Sequence, residues 1–144
     1  MNYSSAINIL SENMAFLDDM DYLRPVEEII RSESIGTYLD FTITARNGSR
    51  RISIVYSRGT GGDENMASVL ISDESGNRFG LIDWIRARRW NINIPFYSKG
   101  GASREKKFLE TLTAGIRVLL EGPLRDTVAG RAWDSVPMDW MGNR

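Results

Sequence analysis

Hydrophobic residues recur at every third or fourth position in two stretches of the chain, which is the spacing of an amphipathic helix. In the first stretch, residues 4–17, the apolar positions are Ile7, Leu10, Met14 and Leu17. The second stretch opens at Ser103, a favoured helix cap, and ends at Gly122-Pro123. Its apolar stripe consists of Phe108, Leu109, Leu112, Ile116, Leu119 and Leu120. We predict a helix from each stretch, and we expect the second to cover a sheet.

A further N-terminal helix is predicted directly after the aspartates that interrupt the first pattern. Pro25 suits the first turn of a helix, where its missing N–H costs nothing. Glu27 and Glu28 would then lie near the positive end of the helix dipole. The apolar residues that would point inward are Val26, Ile29 and Ile30. We expect this helix to end near Gly36.

From Tyr38 onward the hydrophobic period changes to two, which is typical of strands with one wet face. In the first strand the apolar positions are Leu39, Phe41, Ile43 and Ala45, and in the returning strand they are Ile52, Ile54 and Tyr56. Asn47-Gly48 lies between the two strands and favours a hairpin with a type I′ turn. After a flexible loop over 58–65, two shorter strands are predicted near 66–72 and 78–81.

The remaining segments complete a single α+β domain spanning residues 1–144. A short helix is predicted over 81–90, and an irregular connection over 91–101. The segment 123–144 is rich in aromatic residues and lacks a sustained period. The predicted architecture is a four-stranded antiparallel meander with N-terminal helices and a C-terminal helix packed on one face.

Composition removes most catalytic classes from consideration. The chain of 144 residues contains no histidine and no cysteine, so the commonest general base and the thiolate nucleophile are both missing. The glycine-rich run 59–62 is followed by Asp63-Glu64 instead of the lysine and hydroxyl of a phosphate-binding loop. Ser103 and Lys106 have the spacing of a Ser-x-x-Lys nucleophile, but the companion motifs are absent. We therefore expect no enzyme activity, no catalytic residue, no metal and no cofactor.

The start of the chain lacks the pattern of a signal peptide, and no stretch approaches the roughly 20 apolar residues of a membrane span. A cytoplasmic location is expected. The formal net charge of −1 hides an uneven distribution, because residues 1–35 hold seven acids and two bases whereas residues 36–99 hold six acids and nine bases. The front of the chain is therefore acidic and its middle basic.

A protein-binding surface is the first functional hypothesis. Charged residues steer a partner and buried aromatic residues hold it. The acidic residues that would steer a basic partner are Asp18, Asp19, Asp21, Glu27 and Glu28. Trp133 and Trp140 would anchor this partner. An equally good interpretation is that both indoles cover the core of the domain.

Two alternatives come from other parts of the sequence. Arg86, Arg88, Arg89 and Trp90 combine positive charge with a stacking surface, as in proteins that bind single-stranded nucleic acid. Further arginines that would extend that surface are Arg50, Arg51 and Arg58. The other alternative is a structural subunit that forms a homo-oligomer through its tryptophan-containing tail.

The hairpin meander resembles that of small bacterial immunity proteins, which neutralise polymorphic or contact-dependent toxins. The resemblance covers about the first 90 residues and is carried by Tyr38–Thr44, Ile52–Tyr56, Val69–Ile71 and Arg78–Trp84 around the Asn47-Gly48 turn. It implies a cytosolic inhibitor that binds a toxin domain directly and performs no chemistry. No site residue is carried over from that family.

Overall fold

The computed structural model describes residues 2–34, 36–131 and 133. Its strands are β1 (Val26–Ser32), β2 (Gly36–Thr44), β3 (Arg50–Ser57), β4 (Glu64–Asp73), β5 (Arg78–Gly80) and β6 (Tyr97–Lys99). Its α-helices are α1 (Ser4–Asn13), α2 (Leu81–Arg88), α3 (Glu105–Glu121) and α4 (Arg125–Val128). Two 3-10 helices, Ala15–Met20 and Gly101–Arg104, directly follow α1 and directly precede α3.

The strands form one antiparallel sheet with the order β1-β2-β3-β4-β5, and β6 pairs with the first residues of β4. Alternate residues of the long strands are buried beneath the helices, and α1 packs against α3. The buried apolar positions on this face are Leu39, Phe41, Ile43, Ile52, Ile54, Tyr56, Val69 and Ile71. The α+β class predicted from the sequence is confirmed, with six strands instead of four.

The helix predicted from Pro25 is wrong, because Val26–Ser32 is the edge strand β1. Every residue of this segment pairs with β2, from Val26 opposite Thr42 to Ser32 opposite Gly36. The segment is too short to form a stable helix on its own, and its β-branched residues fit a pleated strand better. Val26 and Ile30 point away from the core, because they pair with Thr42 and Tyr38 on the other face of the sheet. Ile29 lies on the core side, opposite Leu39, but at the edge of the sheet it remains 44% exposed.

The predicted hairpin forms, but its turn is not type I′. A type I′ turn needs positive φ at both central residues, and here Gly48 has φ 75° whereas Asn47 is not in that region. The loop is longer than two residues, with the Ala45 N–H donating to the Arg50 carbonyl and the Gly48 N–H donating to the Ala45 carbonyl. The Asn47 side chain accepts hydrogen bonds from Ser49 and stabilises this wider turn.

Ser103 does not cap α3, contrary to the sequence prediction. It lies inside the 3-10 helix Gly101–Arg104, and its hydroxyl donates to the Gly100 carbonyl at 2.8 Å. The α-helix begins two residues later at Glu105, without a side-chain cap. The hydroxyl is used within the preceding turn, so it is not available to the amides of α3.

Two buried hydrogen bonds connect residues after α3 to Tyr22 and to Arg50 of β3. The Tyr22 hydroxyl donates to the Val128 carbonyl at 2.6 Å, and Nε of Arg50 donates to the Thr127 carbonyl at 2.7 Å. The side chains of Thr127 and Val128 are buried as well. The start of the predicted segment 123–144 therefore belongs to the core of the domain.

Candidate protein-binding surface

The sheet has one face that the described residues leave uncovered. In β2, β3 and β4 the side chains on this face alternate with the core residues, as the period of a strand requires. Apart from Ser57, which is buried, they remain partly or fully exposed. They are Tyr38, Asp40, Thr42, Thr44, Arg51, Ser53, Val55, Met66, Ser68, Leu70 and Ser72. We call this set, with the outward side chains of β1 and β5, the open sheet face.

A groove of about 440 Å³ runs across the open sheet face. Val55, Met66 and Leu70 form an apolar centre, and Tyr38 adds an aromatic wall. Asp40 and Arg78 also line the groove and give it charge of both signs. An apolar groove with a few polar groups at its rim has the composition of a binding site for a partner's side chains.

Negative and positive side chains lie at different ends of the open sheet face. Glu28 of β1 lies directly opposite Asp40 of β2, so two carboxylates face each other across neighbouring strands. At the other end Arg51 and Arg78 flank Ser72 in one row across β3, β4 and β5. Like charges directly opposite, such as Glu28 and Asp40, are unfavourable for the sheet by itself, and a basic group bound there would relieve that repulsion.

The structure does not bring the five predicted acidic residues into one cluster. Asp18 and Asp19 are exposed on the 3-10 helix, and Asp21 forms a surface ion pair with Arg46 at 3.4 Å. Glu27 and Glu28 are consecutive strand residues and point to opposite faces of β1. Only Glu28 therefore lies on the open sheet face, and the described residues include no group of three acidic residues arranged to hold a metal ion.

Trp133 packs against the domain. Its ring centroid lies 5.8 Å from those of Phe79 and Trp84, and the Arg50 guanidinium lies 5.2 Å from its centre. Its indole nitrogen is buried and has no hydrogen-bond partner among the residues described. These contacts favour the interpretation that this indole covers the core, whereas Trp140 lies outside the described residues.

The predicted nucleic-acid surface is only partly assembled. Arg86, Arg88 and Arg89 are exposed at the end of α2, but Trp90 is half-buried and packs against the core. Of the three arginines expected to extend the surface, Arg51 alone is exposed, whereas Arg50 and Arg58 are 5% and 8% exposed. The Trp90 ring, Arg50 and Arg58 are therefore used in packing the interior and are not available as a binding surface.

Arg58 belongs to a buried polar cluster that sequence reasoning missed. Its Nε donates to Glu105 at 2.6 Å, and the Tyr56 hydroxyl lies 2.8 Å from the same carboxylate oxygen and 2.7 Å from the Asn65 amide. A hydroxyl has one proton, so both contacts are satisfied if the Asn65 NH₂ faces Tyr56 and the hydroxyl donates to Glu105. We call Tyr56, Arg58, Asn65 and Glu105 the buried polar cluster.

The buried polar cluster serves stability, since its members are buried and satisfy one another. The hydrogen bond that Arg58 donates to Glu105 is the main cause that raises the pKa of Arg58 above its ordinary value. Burial raises the pKa of Tyr56, and the neighbouring Glu105 raises it further. The available sequence signal was Asn65, a polar residue at an inward position of β4, in line with Val69 and Ile71.

Alkaline conditions are expected to destabilise the fold through two buried tyrosines. Burial raises the pKa of Tyr22 and that of Tyr56 well above 10, so the folded state keeps both phenols neutral. The unfolded chain releases these protons near pH 10, and the stability they contribute is therefore complete below pH 10 and is lost above it. Urea unfolding between pH 8 and 11 measures this loss.

The Tyr22→Phe variant is expected to show a shallower loss between pH 10 and 11. Tyr97→Phe is the matched control, because Tyr97 is 51% exposed. Equal slopes for the two variants would contradict the assignment to the buried phenol.

In the part of the chain that the structure describes, every helix is too short or too polar to traverse a bilayer. No family model matches the chain, and neither a curated protein nor a solved structure matches it. The functional assignment therefore depends on the open sheet face and on the residues that line it.

Proposed function

We propose that this protein is a non-enzymatic, cytoplasmic binding protein that inhibits another protein by docking it on the open sheet face. In its most specific form, the proposal is that the protein is a bacterial immunity protein that occludes a toxin domain. The observation that carries the proposal is the uncovered groove with its apolar centre and its two charged ends. The resemblance of the meander to immunity proteins agrees with this function.

The groove suits a protein partner because it combines burial with charge recognition. Val55, Met66 and Leu70 offer apolar area whose burial drives association. Arg51 and Arg78 suit an acidic group of the partner, and the carboxylates of Glu28 and Asp40 suit a basic one. The two ends thereby fix the direction in which a segment lies across the strands.

Isothermal titration calorimetry tests this function with the purified product of the neighbouring gene, because an immunity gene normally sits beside the gene of its toxin. Val55→Arg places a long charged side chain in the centre of the groove, and we expect it to weaken binding about 30-fold or more, as for other central interface residues. Val118→Arg is the matched control, because Val118 is 60% exposed on α3, away from the sheet.

The two variants divide the outcomes cleanly. Retained binding in Val118→Arg and lost binding in Val55→Arg support docking on the open sheet face. Equal binding in both variants excludes that face. No binding of the wild-type chain to the product of the neighbouring gene overturns the inhibitor assignment itself.

A further inference from the structure

The edge strand β1 is open along one side in the part of the chain that the structure describes, and it carries both apolar and charged side chains. It is seven residues long and pairs with β2 on one side, while no described strand pairs with its other side. Three of the exposed large hydrophobic residues, Leu23, Val26 and Ile29, lie in or just before this strand. An open edge of this length is a template for another strand, and soluble proteins normally protect or use it.

A second copy of the chain fits this edge in one register. Two strands related by a two-fold axis pair antiparallel with one residue at the centre opposite itself. All seven residues overlap only when that residue is Ile29, the middle of Val26–Ser32. In this register Glu27 lies opposite Arg31 of the second copy, and the symmetry repeats the pair on the other side of Ile29.

Neighbouring registers lose the pairing of Glu27 with Arg31. Centring on Glu28 places that carboxylate opposite its own copy, and centring on Ile30 places Arg31 opposite Ile29, so no opposite charges face each other. Opposite charges across a strand pair stabilise it and like charges destabilise it. The register with full overlap is therefore also the one that the charges select.

The geometry within the chain agrees with this pairing. Glu27, Ile29 and Arg31 lie on one face of β1, because they pair with Phe41, Leu39 and Thr37 of β2. In the selected register Ile29 would cover Ile29, flanked on both sides by an ion pair. The strands would share about six to eight main-chain hydrogen bonds, as antiparallel strands of this length do.

We infer that β1 is a self-association surface at which two copies join antiparallel about Ile29 to form one continuous sheet. The charge pattern along Val26–Ser32 complements itself, which favours a second copy over a strand from a different protein. The inference does not depend on what occupies the open sheet face.

Sedimentation velocity over a range of concentrations tests the inference on the full chain. The wild type is expected to approach twice the chain mass of 16.3 kDa as its concentration rises. Glu27→Arg and Arg31→Glu each place like charges opposite one another twice per dimer, and each is expected to weaken association about tenfold or more. Glu110→Arg, at an exposed position of α3, is the control and should associate like the wild type.

Mixing the two weakened variants is the decisive step. Glu27→Arg presents two positive side chains and Arg31→Glu presents two negative ones, so the mixture restores both opposite-charge pairs in the selected register. We expect a heterodimer from the mixture and weak association from each variant alone. Circular dichroism confirms that both variants fold.

Three outcomes would overturn the inference. The first is a wild type that stays monomeric at every concentration. The second is a dimer that both charge reversals leave intact. The third is a mixture that associates no better than its components.

Discussion

Replacing Glu105 with alanine is expected to lower the free energy of unfolding by about 3–5 kcal/mol, the usual effect of removing one partner from a buried ion pair. The side chains of Arg58 and Glu105 are 10% and 5% exposed, so water cannot replace the lost carboxylate effectively. Arg58 keeps its hydrogen bond to the Asn2 carbonyl and its position over the Tyr3 ring, but its charge loses the paired acid. Urea unfolding followed by circular dichroism measures the change.

The same helix provides a matched control for this prediction. Glu121 pairs with Arg117 at 2.7 Å, but the side chains of Arg117 and Glu121 are 55% and 45% exposed. Glu121→Ala should therefore cost no more than about 0.5 kcal/mol. Changing Arg58 and Glu105 together to methionine is expected to recover part of the loss, because no buried charge then remains unpaired. A loss in Glu105→Ala no larger than that in Glu121→Ala would refute the prediction.

Gly101→Ala is expected to lower the free energy of unfolding by about 3 kcal/mol or more, because it combines backbone strain with overpacking. Gly101 has φ +52°, and an added Cβ would overlap the Gly62 carbonyl oxygen and lie 2.9 Å from the Asp63 Cα. These obstacles are backbone atoms, so no side chain can rotate away. The loop before β4 or the 3-10 helix before α3 must move, although the Gly100 N–H donates to the Asp63 carbonyl at 2.8 Å.

The Gly48→Ala variant separates the effect of backbone strain from that of overpacking. Gly48 has φ +75°, and an added Cβ would meet no atom within 4 Å. Its substitution therefore carries the backbone strain alone, with an expected cost of about 1 kcal/mol. Thermal or urea unfolding of both variants measures the difference. Equal costs would show that the chain relieves the contact with Gly62 without difficulty.

The parts of the fold that the sequence predicts correctly are those in which one hydrophobic period extends over many residues. The stripe of α3 and the alternation through β2 and β3 leave little ambiguity. Val26, Ile29 and Ile30 fit a helix face equally well, and only hydrogen bonding to β2 decides for a strand. That pairing partner lies outside any local window, so local spacing could not reveal it.

The predicted charged surfaces are divided for a related reason. Neighbours in sequence are not neighbours on one surface of a strand, because consecutive strand residues point to opposite faces. Glu27 and Glu28 are separated in this way, and so are the buried Arg50 and the exposed Arg51. Arg58 and Glu105 are 47 positions apart and meet only in the folded chain, so no spacing rule could have paired them.

The hydrogen bonds that Tyr22 and Arg50 make to Val128 and Thr127 also constrain how the chain folds during synthesis. These bonds join residues 106 and 77 positions apart. The hydroxyl of Tyr22 and Nε of Arg50 therefore lack these acceptors until residues 127 and 128 have left the ribosome. Burying them earlier would leave strong donors unsatisfied, which is costly. The parts of the core around Tyr22 and Arg50 should accordingly close last, once residues 127 and 128 have emerged.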